Sequence, residues 1–212
     1  MKQGRFITFE GGEGAGKSTQ ARLLAEALHA QGTDVLQTRE PGGTPGAEAI
    51  RQLLLDPPSE GWLPSAEALL FAAARADHVE RVIRPALQAG RWVVCDRFLD
   101  SSRAYQGGGG GMSDEAVMAL HGVGSGGLLP DLTVLIEITP DIAAARLARR
   151  DGAASDAIGG REKDYHRQVA AAFARIAAAE PQRVVRVRGD GSQVETHSRV
   201  MEALAPLLEG AQ

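Results

Sequence analysis

The sequence predicts a doubly wound α/β fold, a five-stranded parallel sheet with helices on both faces. Two observations carry this. Short, uninterrupted apolar runs alternate with helical patterns, and strands without polar alternation belong to parallel sheets covered on both sides. The 212 residues, 43% apolar and 24% charged, have globular composition and are enough for one domain with a sizeable core. In such a fold, ligands sit at the carboxyl ends of the strands.

The elements follow in order. Arg5 to Phe9 reads as a strand, then comes a Gly-rich turn and a helix from about Lys17 to Gln31. Val35-Leu36-Gln37-Thr38 is a second strand, and Ala47 to Leu55 a short helix. Ala66 to Gln88 is one long helical stretch, with Pro85 a late kink and Gly90 its stop. Trp92-Val93-Val94-Cys95 is an apolar strand ending in Asp96. Leu132 to Ile138 is a fourth strand and Val184 to Val187 a fifth, with helices from Pro140 and from about Val194. Two stretches read as mobile or as surface linker: the five glycines Gly107 to Gly111, and the Gly/Ala/Asp-rich Asp151 to Gly160. No internal repeat and no second domain is evident.

Composition removes several classes of function. No run approaches eighteen apolar residues, so no membrane-crossing helix is expected. The start, Met1-Lys2-Gln3-Gly4-Arg5, has no signal-peptide core, and a cytoplasmic location is the expectation. One cysteine, Cys95, excludes an internal disulfide and any multi-cysteine metal site. A net charge of −4 argues against a nucleic-acid partner.

The chemistry begins at Gly11-Gly12-Glu13-Gly14-Ala15-Gly16-Lys17-Ser18, which fits G-x-x-x-x-G-K-S/T after a strand and before a helix. Glycines let backbone N–H groups converge on an anion, and the helix N-terminus adds partial positive charge. Lys17 brings a point charge to the β and γ phosphates, and the Ser18 hydroxyl can ligate Mg²⁺. A second metal-side acid belongs at a neighbouring strand end. Asp96 stands there; Glu137, inside Leu135-Ile136-Glu137-Ile138, is its rival. Guanine recognition normally uses Asn-Lys-x-Asp, and this chain contains no Asn. A small phosphate-loop domain with a second set of arginines reads as a kinase for a phosphorylated or nucleoside-like small molecule.

Several further stretches, in this order, carry a resemblance. They are Phe9 to Thr19, Thr38-Arg39-Glu40-Pro41-Gly42-Gly43-Thr44, Leu70-Phe71-Ala72-Ala73-Ala74-Arg75, Asp96-Arg97-Phe98 with Ser101-Ser102-Arg103-Ala104-Tyr105-Gln106-Gly107, and Pro130-Asp131-Leu132-Thr133. Together they resemble the bacterial thymidylate kinases, a family with the P-loop NTPase fold, from Arg5 to about Leu204. The resemblance implies ATP and dTMP as substrates, Mg²⁺, a homodimer, and one kinase domain over residues 1–212 with a mobile lid at about 149–162.

It also implies roles. Arg97 takes the dTMP phosphate, helped by Arg51 and Arg39, since guanidinium forks suit phosphate. Phe71 and Arg75, four apart on one helix face, stack on thymine and donate to its 4-carbonyl; without the family pattern Phe71 is ordinary core. Ser102 and Gln106, also four apart, meet the imide N–H, with Ser101 beside them. Tyr105 crowds the sugar 2′ position, Glu13 accepts from the 3′-hydroxyl, and Glu40 lines the site through Mg²⁺ or water. Thr19 completes the ATP loop. Gly14 stands where some members carry a catalytic Arg, so lid arginines should serve ATP instead. The usual lid Arg is replaced by Ala157, leaving Arg149, Arg150 and Arg161 as candidates. A deoxynucleoside kinase and an ATP-driven switch without a small acceptor are the other readings. The phosphate-directed arginines disfavour the first, and ATP hydrolysis unaffected by dTMP would mark the second.

Overall fold

A computed structural model describes residues 4–151, 161 and 163–209, without the side chains of Arg150, Asp151, Lys163 and Glu209. Five parallel strands, β1 (Phe6–Glu10), β2 (Val35–Arg39), β3 (Trp92–Asp96), β4 (Leu132–Glu137) and β5 (Val184–Arg188), lie in the order β2-β3-β1-β4-β5. Phe9 pairs with Asp96 and Glu10 with Leu135, so the loops after β1 and β3 leave the same edge of the sheet side by side.

Alternate residues of β1 serve opposite faces, as the period of two in an extended chain requires. Ile7 and Phe9 join Leu24 and Leu28 of α1 (Lys17–Ala30) and Val200 and Leu204 of α9 (Gln193–Glu209). Phe6 faces the other way, toward Ile83, Phe98, Leu99 and Val117. A third cluster packs Tyr105, Leu135 and Val184 against Val169, Phe173 and Ile176 of α8 (Lys163–Ala179). Each such apolar side chain contributes about 1.5–3 kcal/mol on burial.

The helices depart from expectation in instructive ways. α2 runs Pro45–Leu55, two residues earlier than the apolar pattern suggests, because Thr44 caps it by accepting from Ala47 N at 3.0 Å and Pro45 takes the first helical position. The expected single helix over 66–88 is α3 (Pro64–His78), a π-helical turn (Val79–Ile83) and α4 (Arg84–Gln88). Pro85 has no N–H for the ladder, and the wide turn just before it absorbs the mismatch. Another π-helical segment, Arg103–Gly109, continues α5 (Leu99–Ser102). Residues 114–125, to which the sequence reading assigns nothing, form α6 (Asp114–Ser125), with Ser113 accepting from Ala116 N at 3.2 Å. α7 spans Pro140–Asp151.

The glycine run is not a surface linker. Gly107–Gly109 lie inside the π-helical segment, which rests on α8. A Cβ on Gly108 would stand 2.4 Å from Ala172 Cβ, and one on Gly109 2.5 Å from the Tyr165 ring. The glycines let two helices touch backbone to side chain. Residues 152–160 and 162, most of the expected lid, lie outside the described residues.

Candidate active site

The loops after β1 and β3 open into a cleft of about 980 Å³, near the upper end for small-molecule sites. One wall is the phosphate loop. Gly11 leaves β1 at φ 136°, where a Cβ would meet Ile136 O at 2.3 Å, and Gly16 precedes α1 at φ 94°. Lys17 lies inside this wall and donates from Nζ to Gly12 O at 2.7 Å. Burial, then the charge of Arg97, pull its pKa down to about 8. Glu13 to Thr19 all line the cleft.

Ser18 Oγ donates to Asp96 Oδ2 across the junction of β1 and β3. The other oxygen, Asp96 Oδ1, is buried and takes no hydrogen bond from any described residue. An orphaned carboxylate oxygen beside a hydroxyl suits a hard, oxygen-seeking cation, so Ser18 and Asp96 fit the expected Mg²⁺. Glu137, the rival, ends β4 paired with Arg186 Nε at 2.9 Å.

Arg97 stands between the two walls. It is the one non-glycine residue at positive φ (66°) among the described residues, a conformation held only where the surroundings enforce it. Its backbone N donates to Phe9 O at 2.9 Å. Its guanidinium donates to Gly11 O at 3.3 Å, to Ser101 Oγ at 3.0 Å, to Tyr105 Oη at 3.3 Å and to Glu13. Burial works against its charge, but Tyr105, Glu13, Glu10 and Asp96 outweigh it and hold Arg97 protonated. Burial pushes the Tyr105 phenol up to about 12, against the opposing pull of Arg97.

What fixes the strained turn is Glu10, which sequence reasoning missed. Buried at the end of β1, its carboxylate accepts from Phe98 N at 2.8 Å, Ser101 N at 3.2 Å and Ser101 Oγ at 2.6 Å. Burial, reinforced by Asp100, raises its pKa to about 7. The available signal was a carboxylate directly after the strand-like run Phe6-Ile7-Thr8-Phe9, at the strand's carboxyl end where ligands sit. Asp100 in turn is held by Arg183 at 2.7 and 2.9 Å and by Arg103 at 3.2 Å.

The opposite wall is built from side chains. Phe71 and Arg75 line it from α3, and Arg51 from α2, where Arg51 donates to Pro41 O at 2.8 Å. Arg39 also lines it, with its guanidinium on Glu48 at 2.8 and 3.0 Å. Buried Arg75 donates to Glu40 Oε2 at 2.7 Å, Ser102 Oγ at 2.9 Å and Phe98 O at 3.1 Å. Glu40 Oε1 pairs with His78 Nδ1 at 3.1 Å. Glu40 lines the cleft as expected, and both its oxygens are engaged in a buried cluster that orients Arg75. Ser101, Ser102, Tyr105 and Gln106 complete the wall.

The expected lid arginines separate. Arg149, exposed on α7, lines the cleft and donates to Ala145 O at 3.4 Å. The side chain of Arg150 lies outside the described residues. Arg161 is not at the phosphate end: it donates to Glu67 and, at 2.6 Å, to Tyr165 Oη. The residue that does touch the loop is Arg146, which the sequence reading passed over. It donates to Gly14 O (3.4 Å), Ala15 O (3.5 Å), Gly189 O (2.7 Å) and Gly191 O (3.2 Å), tying the phosphate loop to the turn after β5. Nothing in the local pattern Ala-Arg-Leu-Ala-Arg-Arg marks it out.

A phosphate loop after the central strand and an arginine-bearing wall facing it define a P-loop kinase with a small phosphorylated acceptor. Residues 9–200 match the family model for thymidylate kinase. A thymidylate kinase of Rhizorhabdus wittichii is 59% identical over 205 residues, spanning 97% of this chain and 99% of the relative. One from Caulobacter vibrioides is 50% identical, spanning 90% of each. The crystal structure of thymidylate kinase from Ehrlichia chaffeensis is 32% identical with a TM-score of 0.77, over 95% of this chain and 99% of that one. The chain belongs to the thymidylate kinase family.

Proposed function

We propose that this cleft transfers the γ-phosphoryl group of ATP to dTMP, giving dTDP for dTTP synthesis. The observation that carries the reading is Arg97, whose guanidinium reaches both the phosphate loop at Gly11 and the acceptor wall at Ser101 and Tyr105. A fixed cation there can hold the acceptor phosphate in line with the transferring group, and phosphoryl transfer is mainly positioning and charge neutralisation.

Lys17 and the amides of Gly11 to Thr19 hold the triphosphate, with Arg149 on the cleft wall beside it and Arg150 assigned to ATP by the family resemblance. Mg²⁺, held by Ser18 and Asp96, would neutralise charge shared by the phosphates. Arg97, with Arg51 and Arg39, takes the dTMP phosphate. Phe71 stacks on thymine, Arg75 donates to its 4-carbonyl, and Ser102 and Gln106 meet the imide, with Ser101 steadying Arg97. Tyr105 crowds a 2′-hydroxyl, and Glu13 accepts from the 3′-hydroxyl while neutralising Arg97. Cytosine would set an amine against Arg75, and an unpaired buried donor costs about 1–3 kcal/mol, or roughly ten- to hundredfold.

We further read residues 1–212 as one cytoplasmic kinase domain that pairs as a homodimer without nucleic acid or membrane, with exposed Leu69 of α3 and Val123 of α6 as apolar contact points. A coupled assay with ATP against dTMP, dUMP, dCMP, dGMP and thymidine tests the activity. Preferred turnover of dTMP is expected, and ADP formation indifferent to dTMP would overturn it.

A further inference from the structure

We propose that Glu67, which does not line the cleft, sets the hydrogen-bonding polarity of the nucleobase pocket by holding the side-chain amide of Gln106 in one orientation. The proposal rests on the reading above that puts Gln106 against the base. Gln106 Nε2 donates to Glu67 Oε1 at 2.9 Å, both residues being buried. The second oxygen, Glu67 Oε2, accepts from Arg161. A carboxylate paired with a guanidinium offers only acceptors, so the end of the amide that faces it must be the NH₂ group. The Gln106 carbonyl is then the end left for the cleft, which Gln106 lines. No described residue donates to that carbonyl oxygen.

The consequence is chemical. A carbonyl aimed at the base accepts from the N3–H of thymine or uracil. Cytosine presents a lone pair at N3 and meets that carbonyl as acceptor against acceptor. Were the amide free to turn, its NH₂ group could serve cytosine as readily as its carbonyl serves thymine. Glu67 is thus a positioning residue that removes this freedom. Arg161 secures it, and Arg161 is itself braced by Tyr165, which donates to Tyr105 O at 3.0 Å. Glu67 of α3 thus joins the π-helical segment, through Gln106, to Arg161, two residues before α8.

The test compares wild type, Glu67→Gln, Gln106→Ala and the double variant, measuring kcat and KM with dTMP, dUMP and dCMP. Glu67→Gln keeps the shape of the side chain but can turn either a carbonyl or an NH₂ group toward Gln106. It should narrow the preference for dTMP over dCMP about tenfold and raise the KM for dTMP, with dUMP following dTMP because both carry the imide. The KM for ATP should stay within about twofold, which separates this effect from general loss of structure. In the Gln106→Ala background, Glu67→Gln should leave the preference where it is. A preference altered equally with and without Gln106 would overturn the proposal, as would Glu67→Gln leaving it intact while Gln106→Ala changes it. If Gln106→Ala changes neither the preference nor the KM for dTMP, the placement of Gln106 at the base fails first, and the proposal with it.

Discussion

The two walls of the cleft are made of different material. The donor wall is mostly backbone: glycines at positive φ, a helix N-terminus, and one lysine anchored to a carbonyl five residues away. The acceptor wall is mostly side chain, and three of its groups are held by partners remote in sequence. Arg75 is held by Glu40, Gln106 by Glu67, and Arg97 through Ser101 by Glu10. A triphosphate is recognised by charge and curvature, which backbone supplies for any sequence that folds so. A nucleobase is recognised by direction, and direction needs side chains whose own freedom has been removed.

Substitutions should expose this contrast. The largest effect is expected on the donor wall: Lys17→Ala should lower turnover at least ~10²-fold through lost transition-state charge stabilisation. Turnover unchanged would take Lys17 out of the mechanism. With its pKa near 8, Lys17 also gives the free enzyme a signature. Affinity for a non-hydrolysable ATP analogue should fall as pH rises through about 8, and titration calorimetry of the Lys17→Ala variant should lack that step. Next comes Arg75→Ala, expected to raise the KM for dTMP roughly ten- to hundredfold and that for ATP far less. It also strands Glu40 in a buried site, so thermal stability should drop with it. An effect confined to ATP would break the division between the walls.

Smaller is Gly108→Ala, where the new methyl meets Ala172 and should cost about 1–3 kcal/mol, read as a lowered Tm. The smallest effect is one of slope. Glu10 has its pKa raised from 4.5 to about 7, so the native state binds the proton more tightly than the unfolded chain. The unfolded chain therefore ionises from about pH 4.5 while the fold holds its proton until about 7, and stability falls progressively as pH rises across that window. Denaturation of Glu10→Gln across that range should show a flatter profile than wild type; parallel profiles would remove Glu10 as the source.

How much of this the sequence discloses follows the same division. The phosphate loop is legible because its function lies in contiguous backbone, so eight consecutive residues state it. The sheet is legible because burial on both faces removes polar alternation from β1, β3 and β4. Asp96 is legible as the acid at the end of an apolar strand. Partnerships are not legible: Glu67 lies 39 residues from Gln106 and 94 from Arg161, and only the folded chain brings them together. Arg146 illustrates the same limit, since its four carbonyl acceptors come from two loops on either side of β4 and β5. The glycine run was misleading for a related reason, because glycine signals freedom when read locally and intimacy when another helix is pressed against it.

That intimacy has a mechanical consequence. At Gly108 and Gly109 the helix bearing Tyr105 and Gln106 meets α8 with no side chain of its own to cushion the contact. A soft interface absorbs small displacements by rotamer changes; this one has none to spend on its glycine side. A shift of α8 by even an ångström must be passed on to the helix beneath it. Any such shift would reach Tyr105 and Gln106, which line the cleft.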